Sequence, residues 1–196
     1  YSGGILYANI SSFSNYTTVD TDPPNVTMAL PAVNTIYNIS ETMEIAANVT
    51  DGSAVSKVFV NISYPNNTIK QFTLNNKTGF DNKFNLSFTI PQLTGTYNLT
   101  YLANDSANLF NSSVTSNFTA RANCGTINTS LTLDRNISSG GTCLTIGASH
   151  LVIDGNGYTI NYGTNGMGRG IDNPNGFDNI TIQNSKINKS GEFNSD

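Results

Sequence analysis

The chain has no tryptophan, one histidine and two cysteines in 196 residues, and only 11% of it is Asp, Glu, Lys or Arg. An average soluble domain is roughly 25% charged, so charge is not what keeps this surface in water. The nine basic residues are scattered and form no cluster beside aromatics, which excludes the electrostatic footprint of a nucleic-acid binder. No apolar run approaches the roughly 18 residues of a membrane-spanning helix. The first residue is Tyr1 rather than Met, as expected of an exported chain after removal of its signal. A hydrophobic content of 37% is enough for one large or two small cores, which excludes a disordered tail. What the chain has in abundance is Asn, with 30 copies, and Ser plus Thr, with 44.

These residues are not randomly arranged. Asn-x-Ser/Thr triplets begin at Asn9, Asn15, Asn25, Asn38, Asn48, Asn61, Asn66, Asn76, Asn85, Asn98, Asn104, Asn111, Asn117, Asn128, Asn136, Asn179 and Asn188, 17 in all. Random placement would give about 7. In 10 of them the middle residue is aliphatic or Phe: Ile10, Val26, Ile39, Val49, Ile62, Leu86, Leu99, Phe118, Ile137 and Ile180. A strand alternates its faces with period two, so each such triplet sends Asn and Ser/Thr to water and the middle residue to the core. N-glycosylation needs an exposed acceptor on an exported chain, so the pattern predicts an extracellular protein whose outer sheet faces carry N-linked glycans. A face covered in sugar cannot pack against protein. Contacts are then left to strand edges, loops and domain ends.

The chain divides into three parts. Residues 1–19 hold a strand candidate at 4–10 and a short one near 16–19, with no domain of their own. Asp20-Thr21-Asp22-Pro23-Pro24 reads as a linker or domain entry, because two prolines end strand pairing. From there to residue 120, alternating segments predict seven strands, at 26–30, 43–50, 55–64, 69–74, 84–90, 97–103 and 114–119, in the spacing of a β-sandwich. From Cys124 onward Gly rises and the chain becomes self-similar. Residues 144–156 align with 171–184 at an offset of about 27 to 29 residues, with Asp-Gly and Asn-Gly at turns. Short strands repeating at this interval predict coils of a parallel β-helix over residues 121–196.

Two resemblances accompany this reading. Residues 20–120 resemble the Ig-like repeats of archaeal and bacterial surface proteins, in Asp20-Thr21-Asp22-Pro23-Pro24-Asn25-Val26-Thr27, in Val49-Thr50-Asp51, and in Gly95-Thr96-Tyr97 leading to Ala103-Asn104-Asp105-Ser106-Ala107-Asn108. The absence of Trp and of an intersheet Cys pair excludes an antibody-type domain. The last 70 or so residues resemble the first coils of a right-handed β-helix of the pectin-lyase or NosD-like kind, notably in Leu151-Val152-Ile153-Asp154-Gly155-Asn156-Gly157-Tyr158-Thr159-Ile160 and Asn179-Ile180-Thr181-Ile182. Together they imply an all-β chain, an Ig-like sandwich followed by a short β-helix segment, from an archaeal cell envelope. Two or three coils bury their inner faces only against neighbours, so either more chain or a partner is expected to cover the last one.

In an exported chain with two cysteines, a Cys124–Cys143 disulfide is the default. Asp20, Asp22, Asp51 and Asp105 fall at one pole of an Ig-like topology, where they could hold Ca2+ or simply form turns. No other cofactor is expected. His150 stands beside an apolar strand without a nucleophile or carboxylate arranged with it, and is read as a coil-turn residue. Asp154, Asp172, Asp178 and Arg169 are available for polysaccharide chemistry, yet the Asp-Asp, Gly-His-Gly and Arg-Ile-Lys motifs of the pectin hydrolases are absent. The expectation is a structural surface protein and not an enzyme: a filament subunit, surface-layer component or adhesin stalk. It would self-associate head to tail, with residues 4–10 as a donor strand. The alternatives are a carbohydrate-binding or carbohydrate-processing β-helix protein whose active part lies beyond this chain, and an adhesion module using exposed aromatics such as Phe110 and Tyr64.

Overall fold

The computed structural model describes residues 20–190, and among them the secondary structure is entirely strands and turns. The expected strands at 4–10 and 16–19 lie outside the described residues. Nine strands build the first region: β1 (Asn25–Leu30), β2 (Thr35–Asn38), β3 (Thr42–Thr50), β4 (Val55–Ser63), β5 (Ile69–Asn76), β6 (Lys83–Thr89), β7 (Gly95–Asp105), β8 (Phe110–Asn111) and β9 (Thr115–Arg121). The seven expected strands are all present, with ends within two residues of expectation. β2 and β8 were not anticipated. They have four and two residues, too few for alternation to register.

Hydrogen bonding follows the order β1-β3-β6-β5-β4-β7-β9-β2. β5 pairs over most of its length with β4 and only through Asn75 and Asn76 with β6, so it passes from one face of a sandwich to the other. The first two strands of the described residues are also split. β1 pairs antiparallel with β3, and β2 pairs parallel with β9. Alternation sets the core. In β7, Tyr97, Leu99, Tyr101, Ala103 and Asp105 are buried, while the residues between them face outward. Tyr97 stacks on Phe118 at 4.7 Å between ring centroids and donates its hydroxyl to the Leu93 carbonyl at 2.9 Å, which gives a buried phenol the partner it needs. A Tyr at the start of this strand bonded four residues upstream is the tyrosine corner of Ig-type sandwiches. Tyr101 reaches the Leu30 carbonyl in the same way.

Beyond β9 every strand pairing is parallel. β10 (Gly125–Ile127), β11 (Leu131–Thr132), β12 (Ile137–Ser138), β13 (Leu144–Ile146), β14 (Val152–Asp154), β15 (Thr159–Tyr162), β16 (Ile171–Asp172), β17 (Thr181–Gln183) and β18 (Lys186–Lys189) form three parallel sheets, β10-β13-β16, β11-β14-β17 and β12-β15-β18. The chain visits the sheets in turn three times, making three rungs. Leu144 pairs with Ile171 and Val152 with Thr181, the offsets of 27 and 29 read from the sequence. Aliphatic ladders run through the stack: Leu131, Ile153 and Ile182 in one sheet, Ile137, Ile160 and Ile187 in another. The first two members of each ladder are buried, whereas Ile182 and Ile187 on the third rung are 45% and 48% exposed. Each rung is dry only where another covers it.

The corners between strands repeat as well. His150 and Asn156 on the second rung, and Asn179 and Asn184 on the third, all have positive φ, a conformation Asn tolerates best among side-chain-bearing residues. Gly155 beside this corner has no room for a side chain: a Cβ there would lie 2.3 Å from that of Ser185.

Candidate functional site

Of the four acidic residues expected at the sandwich pole, three come together. Asp20 lies on the segment entering β1, Asp51 follows β3, and Asp105 ends β7; one carboxylate oxygen from each falls within 4.8 Å of the others. Asp22 does not join them. Its side chain is exposed, and its role is to donate its backbone N–H to Asp20 Oδ1 at 3.1 Å, a local turn that leaves its own carboxylate in water. Asp105 is 1% exposed because period-two alternation in β7 points it inward. Its Oδ1 accepts the Leu109 N–H at 2.9 Å, while its Oδ2 is buried without a hydrogen-bond partner; Asp20 Oδ2 is likewise buried and unpartnered. Asp51 Oδ1 accepts both the N–H and the hydroxyl of Ser53, at 2.8 and 2.7 Å. The Ser53 hydroxyl, followed by the Asp22 N–H, holds the Asp20 carboxyl below the usual carboxylate range. The entry segment is also docked rather than free: Pro24 is buried, and Asn111 Nδ2 donates to its carbonyl at 2.8 Å.

The sandwich and the stack are fastened by side chains whose sequence carries no signal of that role. Gln92, after β6, donates from Nε2 to the Thr126 carbonyl at 2.6 Å and accepts at Oε1 from the N–H groups of Asn128 and Thr129, at 2.8 and 3.1 Å. Asp134 accepts the Ala122 N–H at 2.8 Å, and Arg135 donates to the Ala122 carbonyl and to Asn38 Oδ1, at 2.9 and 2.7 Å. Beneath these bonds the buried residues of both regions form one continuous cluster through Ala120, Ala122 and Ile127. The Cys124–Cys143 disulfide is formed, with a Cα–Cα distance of 4.6 Å. It stands just before β10 and β13, so it joins equivalent points on the first and second rungs and closes a whole rung rather than one strand.

Fifteen of the 17 sequon asparagines are described, and none is buried. Asn25, Asn66, Asn76, Asn98, Asn128, Asn136, Asn179 and Asn188 are exposed; Asn38, Asn48, Asn61, Asn85, Asn104, Asn111 and Asn117 are half-buried. The middle residues point the other way: Val26, Ile39, Val49, Ile62, Leu99, Phe118 and Ile137 are buried, and Leu86 and Ile180 half-buried. Asn9 and Asn15 lie outside the described residues.

The groups considered for catalysis are engaged in local contacts within the stack. His150 is an exposed corner residue whose Nε2 lies 3.0 Å from Asn179 Nδ2 one rung on. Asp154 accepts from Gln183 Nε2 at 2.9 Å, the Asn156 N–H at 2.8 Å and Asn184 Nδ2 at 3.2 Å, bonds that lower its pKa and mark it as a corner anchor. Asp172 pairs with Arg169, and Asp178 is exposed. Of the two aromatics considered for adhesion, Phe110 is 54% exposed, but Tyr64 is not available: it is 8% exposed and packed edge-on against Tyr97. Among the described residues no helix is long and apolar enough to cross a membrane.

No protein-family model and no curated protein matches the chain. Among solved structures, CopC from Methylosinus trichosporium OB3b aligns with a TM-score of 0.40 and 12% identity, over 50% of this chain and 94% of that one. The fibronectin(III)-like modules of Clostridium thermocellum CbhA align at 0.40 and 12%, over 54% and 50%. The SrpA adhesin from Streptococcus sanguinis aligns at 0.38 and 19%, over 55% and 61%. All three are β-sandwich proteins, and at this level of similarity they assign the chain to no family.

Proposed function

We propose that this chain is an extracellular, N-glycosylated structural protein of a cell surface, a filament subunit, surface-layer component or adhesin stalk, and that it is not an enzyme. The observation that carries the reading is the orientation of the sequons. None of the fifteen described asparagines is buried, and in nine of these sequons, drawn from both regions, the middle residue is apolar and buried or half-buried, which suits a surface built to be coated. The disulfide suits an oxidising compartment. The three parallel sheets are the first coils of a right-handed β-helix in this reading, supported by their parallel registers and repeated corners. The stapled joint makes sandwich and coils one stiff body, and the half-exposed ladder of the third rung is an edge through which such bodies, or further coils, stack.

Glycopeptide mass spectrometry of native material tests this. Sugar is expected at Asn25, Asn66, Asn76 and Asn98, which are exposed and whose amide nitrogens have no partner among the described residues. Asn38, whose Nδ2 donates to Glu41 and whose Oδ1 accepts from Arg135, is expected to be the least occupied, because a glycan there would disturb the joint. Native chains bare at all four exposed sites would contradict the reading.

A further inference from the structure

We propose that Asp20, Asp51 and Asp105 form a Ca2+ site that clamps the segment entering the sandwich to its pole. Three carboxylates within 4.8 Å repel one another, and the hydrogen bonds present cover only part of their oxygens. The independent indication is Asp105. Asp105 is 1% exposed; the Leu109 N–H satisfies its Oδ1, but Oδ2 is buried with no hydrogen-bond partner, a desolvation cost left without a matching donor. A cation between the three would offset it and would engage the equally unpartnered Asp20 Oδ2. The donor set is all oxygen, which selects a hard ion over a transition metal. Geometry then favours Ca2+: three carboxylates from separate segments offer an irregular shell, which Ca2+ accepts, whereas Mg2+ demands a near-ideal octahedron.

The three ligands come from segments far apart in sequence, so binding would reinforce an entry segment that Pro24 and Asn111 already dock on the pole. The site stands independently of the structural reading above: glycan mapping does not bear on it, and cation binding does not bear on the glycans.

The test is calorimetric titration of CaCl2, and separately MgCl2, into the chelator-stripped full chain, with thermal melts in Ca2+ and in EDTA. One saturable Ca2+ site per chain is expected, with Mg2+ at least about tenfold weaker. The melting temperature should rise by roughly 5 °C in excess Ca2+. Asp105→Asn and Asp51→Asn should each abolish saturable binding and the melting shift; Asp51 is on an outer loop, so the second variant remains informative if the buried one fails to fold. Absence of saturable binding by the native sequence, undiminished binding by Asp51→Asn, or Mg2+ bound as tightly as Ca2+ would overturn the assignment.

Discussion

The sandwich and the parallel stack hide a β core by different means. The sandwich closes its own core between two sheets of long strands, and anchors it with Tyr97 and Tyr101, whose hydroxyls donate to the Leu93 and Leu30 carbonyls, and with Phe118 stacked on Tyr97. The stack uses strands of two to four residues, bridges its first two rungs with a disulfide, and stays dry only where one rung lies on the next. The sandwich therefore owns its stability, whereas the stack receives much of its own from what covers its ends. The joint at Gln92, Asp134 and Arg135 is where the sandwich supplies that cover.

The largest effect should come from the sandwich core. Tyr97→Ala removes a fully buried ring and orphans the Leu93 carbonyl, and should lower unfolding stability by about 4 kcal/mol. Because the joint couples the two regions, urea denaturation should show both lost together. Breaking the disulfide by Cys124→Ala with Cys143→Ala should cost about 3 kcal/mol, for a loop closed across 19 positions. Here hydrogen exchange should rise over β10–β18 and leave β3, β4 and β7 protected; the reverse pattern would refute the division of labour. Gln92→Ala removes three bonds to backbone groups of the first rung and should cost about 2 kcal/mol. Its sharper signature is loss of cooperativity, a single transition splitting into two.

The smallest expected effect lies on the sandwich surface. Lys83 first, then Asn85 and Lys77, hold the Glu44 carboxyl down to about 2 from an ordinary 4.5. A lowered folded-state pKa means the contribution is complete above pH 4.5 and is lost as pH falls through about 2. Glu44 is a third exposed, so screening reduces this contribution to about 1 kcal/mol. In Glu44→Gln, thermal melts should lose that increment at neutral pH and show a shallower decline between pH 4.5 and 2.

Period-two patterning made the sandwich strands legible, because residues such as Tyr97, Leu99 and Tyr101 alternate with outward Asn and Thr. The stack was legible through its repeat, since Leu144 and Ile171 share a register and a setting. β2 escaped because a four-residue strand paired in parallel with β9, some 80 positions away, leaves no local trace. The joint escaped for the same reason: Arg135 finds Asn38 across 97 positions, and nothing in either residue names the other. At the acidic pole, topology brought Asp20, Asp51 and Asp105 together as expected, and the turn chemistry that turned Asp22 outward depends on a single backbone bond. Tyr64 was misplaced as exposed although alternation gave it away: it stands one residue past the end of β4 and continues the inward set Val58, Val60 and Ile62, which turns its ring onto Tyr97.

The central claim, that the function of this chain is mechanical, is tested most directly by electron microscopy of the native material from which the chain is purified, with the chain located by a specific antibody. The account predicts label along fibres or a surface lattice with a regular repeat. Label found only on dispersed single particles would contradict it.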